Sequence, residues 1–382
     1  MNLIQLNIPS QLAIGDGSLA QFFVDFKKLG HRRLFILSIP VIRPLLQPYV
    51  EELADAGIAV HVDESIDAEP SFAQVEGILA GARGFAADSV AGIGGGSVLD
   101  AAKFIAAQLN NTQRTADIIG IGKLNGRSAY LACLPTTAGT GSEVSPNAIF
   151  LDTADHEKKG VISPYLVPDA AYIDPVLTAG VPPAVTAFTG IDAFTHCLEA
   201  FINRFAHPVT DRFALDGMQL IFKNLKQAYD HGDDLEARAA VALGSVYGGM
   251  CLGPVNTAAV HALAYPLGSK FKIAHGLSNA VMLPYVLEYN LPAATERFAV
   301  LSKNLGLTTC GCSDEDYAKA GIEAIRALIV SLNIPLKLSA LGIPETALDG
   351  LAASALKVQR LLKNTVRELS LNDVLKIYQK AF

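Results

Sequence analysis

The chain has little of what a secreted, membrane-spanning or nucleic-acid-binding protein needs. Its five cysteines, Cys133, Cys197, Cys251, Cys310 and Cys312, are too few and too scattered for a disulfide framework and suit a reducing compartment. The pair Cys310-Gly311-Cys312 could grip a metal, but no second pair accompanies it, and it reads as two loop thiols. A bilayer span takes about 20 consecutive apolar residues, and the best run, residues 322–332, is interrupted by Glu323 and Arg326. The start, Met1-Asn2-Leu3-Ile4-Gln5, has neither the basic nor the long apolar region of a secretory signal. With the cysteines, this predicts a cytoplasmic protein. Positive charge is also in deficit: 30 Lys and Arg against 37 Asp and Glu give a net charge of -7, which argues against nucleic acid as a partner. The sequence shows no charge block, low-complexity tract or tandem repeat.

What it does have is length and apolar content. A chain of 382 residues exceeds one ordinary core, so two domains are expected. Hydrophobic residues make up 51% and charged residues 18%, with a mean hydropathy of +0.32, which suggests large buried helices or a wide subunit interface.

Up to about residue 180 short apolar runs alternate with amphipathic stretches. Strands are predicted over 34–38, 59–63 and 89–93, and helices over 43–56, 71–87 and 98–109. This βαβαβα order predicts a parallel sheet covered on both faces. Residues 129–134, 148–152 and 171–174 add further strands, and 3–8 reads as a short N-terminal one. After Gly180-Val181-Pro182-Pro183 the pattern turns helical, over 187–203, 211–229, 234–250, 314–332 and 371–382. The double proline suits a helix start and a domain boundary, and Ser370 with Asp373 suits a capping box. The expected organisation is a dinucleotide-binding α/β domain over 1–180 and an all-helical domain over 181–382, with a small-molecule site in a cleft.

Three features carry chemistry. Gly92-Ile93-Gly94-Gly95-Gly96-Ser97 links a strand to a helix, where glycine lets the backbone approach a pyrophosphate held by the helix N-terminus. It departs from G-x-G-x-x-G at Ser97, and it opens the third βα unit where the usual fingerprint opens the first. A glycine-rich strand exit could serve the turn alone. Three consecutive glycines cost backbone entropy, however, and favour the phosphate reading. A second loop, Pro135-Thr136-Thr137-Ala138-Gly139-Thr140-Gly141-Ser142-Glu143, offers hydroxyls and amides for ribose, phosphate or carboxamide, and equally reads as a turn of side-chain-to-backbone bonds. Third, Asp192 and His196 stand four apart on one helix face, and His261 and His275 follow. Pro266 and Gly268 break the segment between the latter two, so they must come from different elements. One carboxylate and three imidazoles suit Fe(II), Zn(II) or a similar ion. A lone apolar-face histidine is usually core, but these four occur together in the helical half. The remaining histidines (His31, His61, His156, His207, His231) take no role.

Taken together, these blocks resemble the iron-containing (group III) alcohol dehydrogenases. The likeness lies in Gly94-Gly95-Gly96-Ser97-Val98-Leu99-Asp100-Ala101-Ala102-Lys103, in 135–146, in 192–199, and in His261-Ala262-Leu263-Ala264-Tyr265-Pro266-Leu267-Gly268 with His275-Gly276-Leu277. It spans about residues 30 to 290, in order and at the family's spacings. It implies a Rossmann-like dinucleotide domain, a helical domain, and hydride transfer between NAD or NADP and a small alcohol or aldehyde. One divalent metal per chain, Fe2+ or Zn2+, would act as Lewis acid on the substrate oxygen. Residue by residue, Asp192, His196, His261 and His275 would hold the metal. Gly94, Gly95, Gly96 and Ser97 would hold the pyrophosphate with Asp100 close by. Thr136, Thr137, Thr140 and Ser145 would contact the cofactor, and Lys158 (or Lys159) a cofactor oxygen.

The likeness has departures. Many members place an aspartate after the first Rossmann strand to accept the ribose 2′-hydroxyl; here Ser38 and Ile39 occupy that place, which admits NADP. A histidine four residues after the third metal ligand, a candidate proton relay, is Tyr265 here, and a phenol is a poorer base than an imidazole at neutral pH. Glu69-Pro70-Ser71 replaces the usual Asn-Pro-Thr near the expected adenine end. No protein nucleophile is required, so Cys197 reads as packing. The competing readings are a maleylacetate reductase-like or glycerol dehydrogenase-like sibling, a dehydroquinate synthase-like lyase, and a non-catalytic dinucleotide-binding protein. A homodimer is the expected assembly.

Overall fold

In the computed structural model the described residues are 3–154, 157–308 and 313–382. Cys310, Cys312 and His156 lie outside them. The chain divides into two units: one comprises residues 6–137 and 141–180, the other residues 181–382 with 3–5 and Ala138–Thr140.

The first unit is built on a six-stranded sheet. In chain order its elements are β1 (Gln11–Ile14), α1 (Ser18–Lys28), β2 (Arg33–Leu37), α2 (Arg43–Asp55), β3 (Ala59–Asp63), α3 (Phe72–Gly84), β4 (Ser89–Gly94), α4 (Gly96–Gln108), α5 (Thr115–Ile118), β5 (Gly120–Ile121), β6 (Tyr130–Pro135), β7 (Asn147–Asp152), β8 (Glu157–Ile162) and β9 (Ala170–Ile173). The strand order is β1-β9-β6-β4-β2-β3, every neighbouring pair parallel. Parallel strands need both faces covered, and their side chains alternate between them. Phe35, Leu37, Val90, Leu131 and Cys133 face one core with Val75 and Ile78 of α3 and Ala102 and Ile105 of α4. Leu34, Ile36, Ala91, Ile93, Ala132 and Leu134 face the other with Phe22 and Phe26 of α1 and Leu46 and Leu53 of α2. The predicted strand at 148–152 joins a second, three-stranded sheet, β5-β8-β7, in which β7 runs antiparallel to β8.

One expected element is absent. Residues 3–8 form no strand, and the N-terminal strand is β1, where each residue finds a partner from Ala170 to Ile173. Leu3 is 92% exposed, and among the described residues 3–8 pair with no strand.

The second unit is helical: α6 (Pro183–Phe201), α7 (Pro208–Asp230), α8 (Leu235–Leu252), α9 (Ala259–Phe271), α10 (His275–Asn304), α11 (Asp314–Ser331), α12 (Leu348–Leu356), α13 (Gln359–Leu362) and α14 (Leu371–Ala381). Pro182 and Pro183 open α6. Ser370 and Asp373 form the capping box of α14. Pro266 does not end α9, as its type suggests, but lies inside it. The helix is held by burial of His261, Leu263 and Leu267, which offsets the missing backbone donor. It stops at Lys272, in the left-handed region at φ 56, and three residues later α10 begins. His261 and His275 therefore do lie on different elements, with the break after Pro266 and Gly268. Among the described residues no helix is long and apolar enough to cross a membrane.

Candidate functional site

The glycine loop, residues 92–97, lies in the first unit. β4 ends at Gly94, Gly95 is the helix cap with no side-chain bond, and α4 follows at once. The first-turn amides of α4 thus point past a residue with no side chain, an arrangement suited to phosphate. Gly94 is needed for packing as well, since a Cβ there would lie 2.6 Å from Cβ of Val98. The adjoining loop continues the ladder through Thr136 N–H to the Gly94 carbonyl at 2.9 Å. Thr137 Oγ1 lies 3.5 Å from where a Gly95 Cβ would stand.

Behind this loop is a buried polar knot. Lys103 is fully buried, and its Nζ donates to the Ser142 carbonyl and hydroxyl at 2.8 Å each and to Ser145 Oγ at 3.4 Å. Asp100, expected near the pyrophosphate, accepts from the Ser142 hydroxyl and from Ile149 N–H. Both its oxygens are thereby engaged in fixing the loop to β7. Burial pushes the Asp100 carboxyl up and the Lys103 ammonium down, and it pushes Glu143 up to about 7. Lys158 pairs with Glu69 at 2.6 Å. Ser38 is buried with its hydroxyl donating to the Ile93 carbonyl at 3.1 Å, and Ile39 packs against the sheet core.

The histidine cluster lies in the second unit. Asp192 and His196 sit one turn apart on α6, His261 is on α9, and His275 is the first residue of α10. Single ligand atoms of Asp192, His261 and His275 all lie within 4.8 Å of one another. Asp192 Oδ1 is 3.5 Å from His261 Nε2, 3.7 Å from His275 Nε2 and 3.9 Å from His196 Nε2. His196 Nε2 and His261 Nε2 are 3.0 Å apart, their rings stacked. Gly276 lets α10 start so close to α6, because a Cβ there would stand 2.2 Å from the Phe188 carbonyl oxygen.

Three outer partners aim these side chains, and none was picked out from the sequence. The Gly139 carbonyl is 3.2 Å from His196 Nδ1. Glu199, buried one turn after His196, takes His261 Nδ1 at 2.6 Å with one oxygen and Val260 N–H at 2.6 Å with the other. With both Nδ1 atoms donating, the two Nε2 lone pairs face each other and Asp192. Such a pair at 3.0 Å needs a proton or a cation between them, so the donor set fits a divalent ion. Asn279, one turn after His275, donates from Nδ2 to Asp192 Oδ1 at 2.6 Å, and that nitrogen lies 3.2 Å and 3.3 Å from Nε2 of His261 and His275.

The charges follow. Burial raises the Asp192 carboxyl, but the imidazoles of His196, His275 and His261 overcome this and hold it well below the carboxylate range. Burial lowers His261, yet hydrogen bonds to Asp192 and Glu199 win and lift it to about 10. His196 is pushed down by burial. Glu199 and Asn279 share the i+3 and i+4 spacing that marked Asp192 with His196, and that spacing is the signal that would have found them.

Tyr265 is half-buried on α9, its ring 5.9 Å from that of His275 and its hydroxyl accepting from Arg360 at 2.9 Å. Cys197 is packing: it is fully buried, faces the Gly244 carbonyl, and burial pushes its thiol well up. His207 is buried and caps α7 through Val209 N–H.

Comparison with known proteins adds the following. Residues 9–175 match the family described as iron-containing alcohol dehydrogenase. Residues 186–382 match the C-terminal domain of the Fe-containing alcohol dehydrogenase family. Long-chain-alcohol dehydrogenase 1 of Geobacillus thermodenitrificans is 36% identical over 387 residues, covering 100% of this chain and 98% of the relative. A solved 1,3-propanediol oxidoreductase superposes with a TM-score of 0.95 at 32% identity, over 100% of both chains. Sulfoacetaldehyde reductase of Bifidobacterium kashiwanohense, solved in complex with NAD+, does so with a TM-score of 0.89 at 26% identity, over 100% of this chain and 99% of that one.

Proposed function

The chain belongs to the iron-containing alcohol dehydrogenase family, and on that premise we propose that it transfers a hydride between a nicotinamide dinucleotide and a small alcohol or aldehyde, using one divalent cation per chain. The observation that carries this reading is the convergence of Asp192, His261 and His275 within 4.8 Å, with His196 against them. When bound, the cation supplies Lewis-acid polarisation of the substrate oxygen, and the nicotinamide gives or takes the hydride.

The chain's own residues supply position and charge. Asp192, His196, His261 and His275 hold the cation. Glu199 and the Gly139 carbonyl fix the ring tautomers, and Asn279 fixes the Asp192 carboxylate. Gly94, Gly95, Gly96 and Ser97 bind the pyrophosphate. Thr136, Thr137, Thr140 and Ser145 bind the ribose and carboxamide side, and Lys158 a cofactor oxygen. Asp100 and Lys103 hold the shape of that loop. Tyr265, beside His275, takes part on the substrate side of the site, its hydroxyl accepting from Arg360. Residues 1–180 form the dinucleotide domain and 181–382 the metal and substrate domain.

Iron is the metal of choice from the family; zinc accepts the same donors. NAD binding in the Bifidobacterium relative supports a nicotinamide cofactor. Because Ile39 presents no carboxylate to a 2′-phosphate, NADP is also accepted. The partners are a small-molecule substrate and a second copy of the chain, in the cytoplasm. The sibling and lyase readings gain nothing from the matches over both halves. The test is His196→Ala: turnover with NADH or NADPH and an aldehyde falls at least about 100-fold with bound metal. Full turnover and full metal content in the variant would end this reading.

A further inference from the structure

Arg360 has a position that hydride transfer to a simple aldehyde does not explain. Arg114, Arg127, Arg297 and Arg326 each pair with a carboxylate. Arg360 is half-buried on α13 and, among the described residues, has no carboxylate within ion-pair distance. Its one hydrogen bond goes from Nη2 to the Tyr265 hydroxyl at 2.9 Å, with the guanidinium carbon 5.6 Å from the ring centre. Tyr265 in turn is 5.9 Å, ring to ring, from His275. One tyrosine therefore separates an unneutralised guanidinium from a member of the histidine cluster.

The adjoining sequence is itself basic. Residues 350–367 contain Lys357, Arg360, Lys363 and Arg367 and no Asp or Glu, in a chain whose net charge is -7. A guanidinium carries five N–H donors in a planar fork, of which Tyr265 uses one. Taking such a group partly out of water without an anion costs free energy that an incoming anion returns. The fork matches two oxygens of a carboxylate or sulfonate.

We propose that Arg360, steadied by Tyr265, is a specificity-determining residue that selects small aldehydes and alcohols bearing an anionic oxo group at the end away from the reacting carbon. The inference rests on the hydride-transfer reading of the site. The reaction is unchanged: an aldehyde gains a hydride at carbon from the reduced nicotinamide and a proton at oxygen, giving the alcohol and the oxidised cofactor. Arg360 adds a second anchor, and binding energy at the remote end orients the reacting one. A neutral aldehyde of equal length leaves the guanidinium desolvated and unpaired, which is how a polar pocket rejects an analogue lacking the group.

The experiment compares succinate semialdehyde with butanal on the metal-loaded enzyme, as wild type, Arg360→Gln and Arg360→Lys. The wild type should favour the semialdehyde by about tenfold or more in kcat/KM. Arg360→Gln should lower that preference about 100-fold, chiefly through KM for the acid, and Arg360→Lys should restore part of it. A wild type that treats both aldehydes alike, or a preference unmoved by Arg360→Gln, overturns the proposal. Titration calorimetry with succinate gives a readout free of turnover, with binding to wild type that is lost in Arg360→Gln. An enzyme that binds succinate through Arg360 but reduces no aldehyde would sustain the anion site and contradict the hydride-transfer reading.

Discussion

What stands behind a histidine ring decides which of its nitrogens can meet a cation. Glu199 takes the Nδ1 side of His261 while also receiving Val260 N–H in the first turn of α9. Its loss should release the ring and leave a buried amide unpaired. Outer partners of metal ligands are typically worth about 10–100-fold in affinity. Glu199→Ala is therefore expected to weaken Fe(II) or Zn(II) binding by that factor in a chelator competition, and an unchanged affinity would reject the role. The buried Glu143 predicts a pH effect. Its carboxyl is raised to about 7, so between roughly 4.5 and 7 the folded chain binds more protons than the unfolded one, and stability falls as pH rises through that window. Glu143→Gln removes the fall. The variant should be more stable than wild type by about 3 kcal/mol in denaturant titrations at pH 8 and equal to it near pH 4. Ile39 governs a third outcome: Ile39→Asp should raise the NADH over NADPH preference at least about tenfold, and equal kcat/KM ratios before and after would count against it.

At the scale of elements, Gly276 is the tightest joint. A methyl there meets the Phe188 carbonyl at 2.2 Å, and backbone on both sides cannot yield cheaply. Gly276→Ala should cost on the order of 2–3 kcal/mol, lower the Tm, and displace His275 enough to reduce metal binding. A variant with wild-type Tm would refute that packing. The same elements show what was legible in the sequence. The alternating strands and amphipathic helices of the first unit were readable because burial on both faces leaves a continuous apolar run. Asp192 with His196 was readable because both lie on one helix. Helix α9 was misjudged at Pro266, where tertiary burial outweighs the missing donor. Residues 3–8 read as a strand by composition, but a strand exists only where a neighbour completes it. Arg360 was not legible at all, because its meaning comes from Tyr265, some 95 residues away.

For the whole molecule, the two units contribute different parts. The sheet unit supplies an uncapped helix start and a polar loop braced by Lys103. The helical unit brings the acceptor atoms of Asp192, His261 and His275 together, with His196 against them. A ligand that binds the folded state alone raises its stability by about 2.7 kcal/mol at 100 times its dissociation constant. Saturating Fe(II) should accordingly raise the Tm of the wild type and not of His261→Ala, a difference calorimetry can read. Metal dependence is tested most directly by the rate of aldehyde reduction plotted against bound metal per chain, across anaerobic samples loaded to different extents. Metal-dependent hydride transfer gives a line through the origin that ends near one Fe or Zn per chain. Full activity in metal-free protein, or a rate independent of loading, would contradict it.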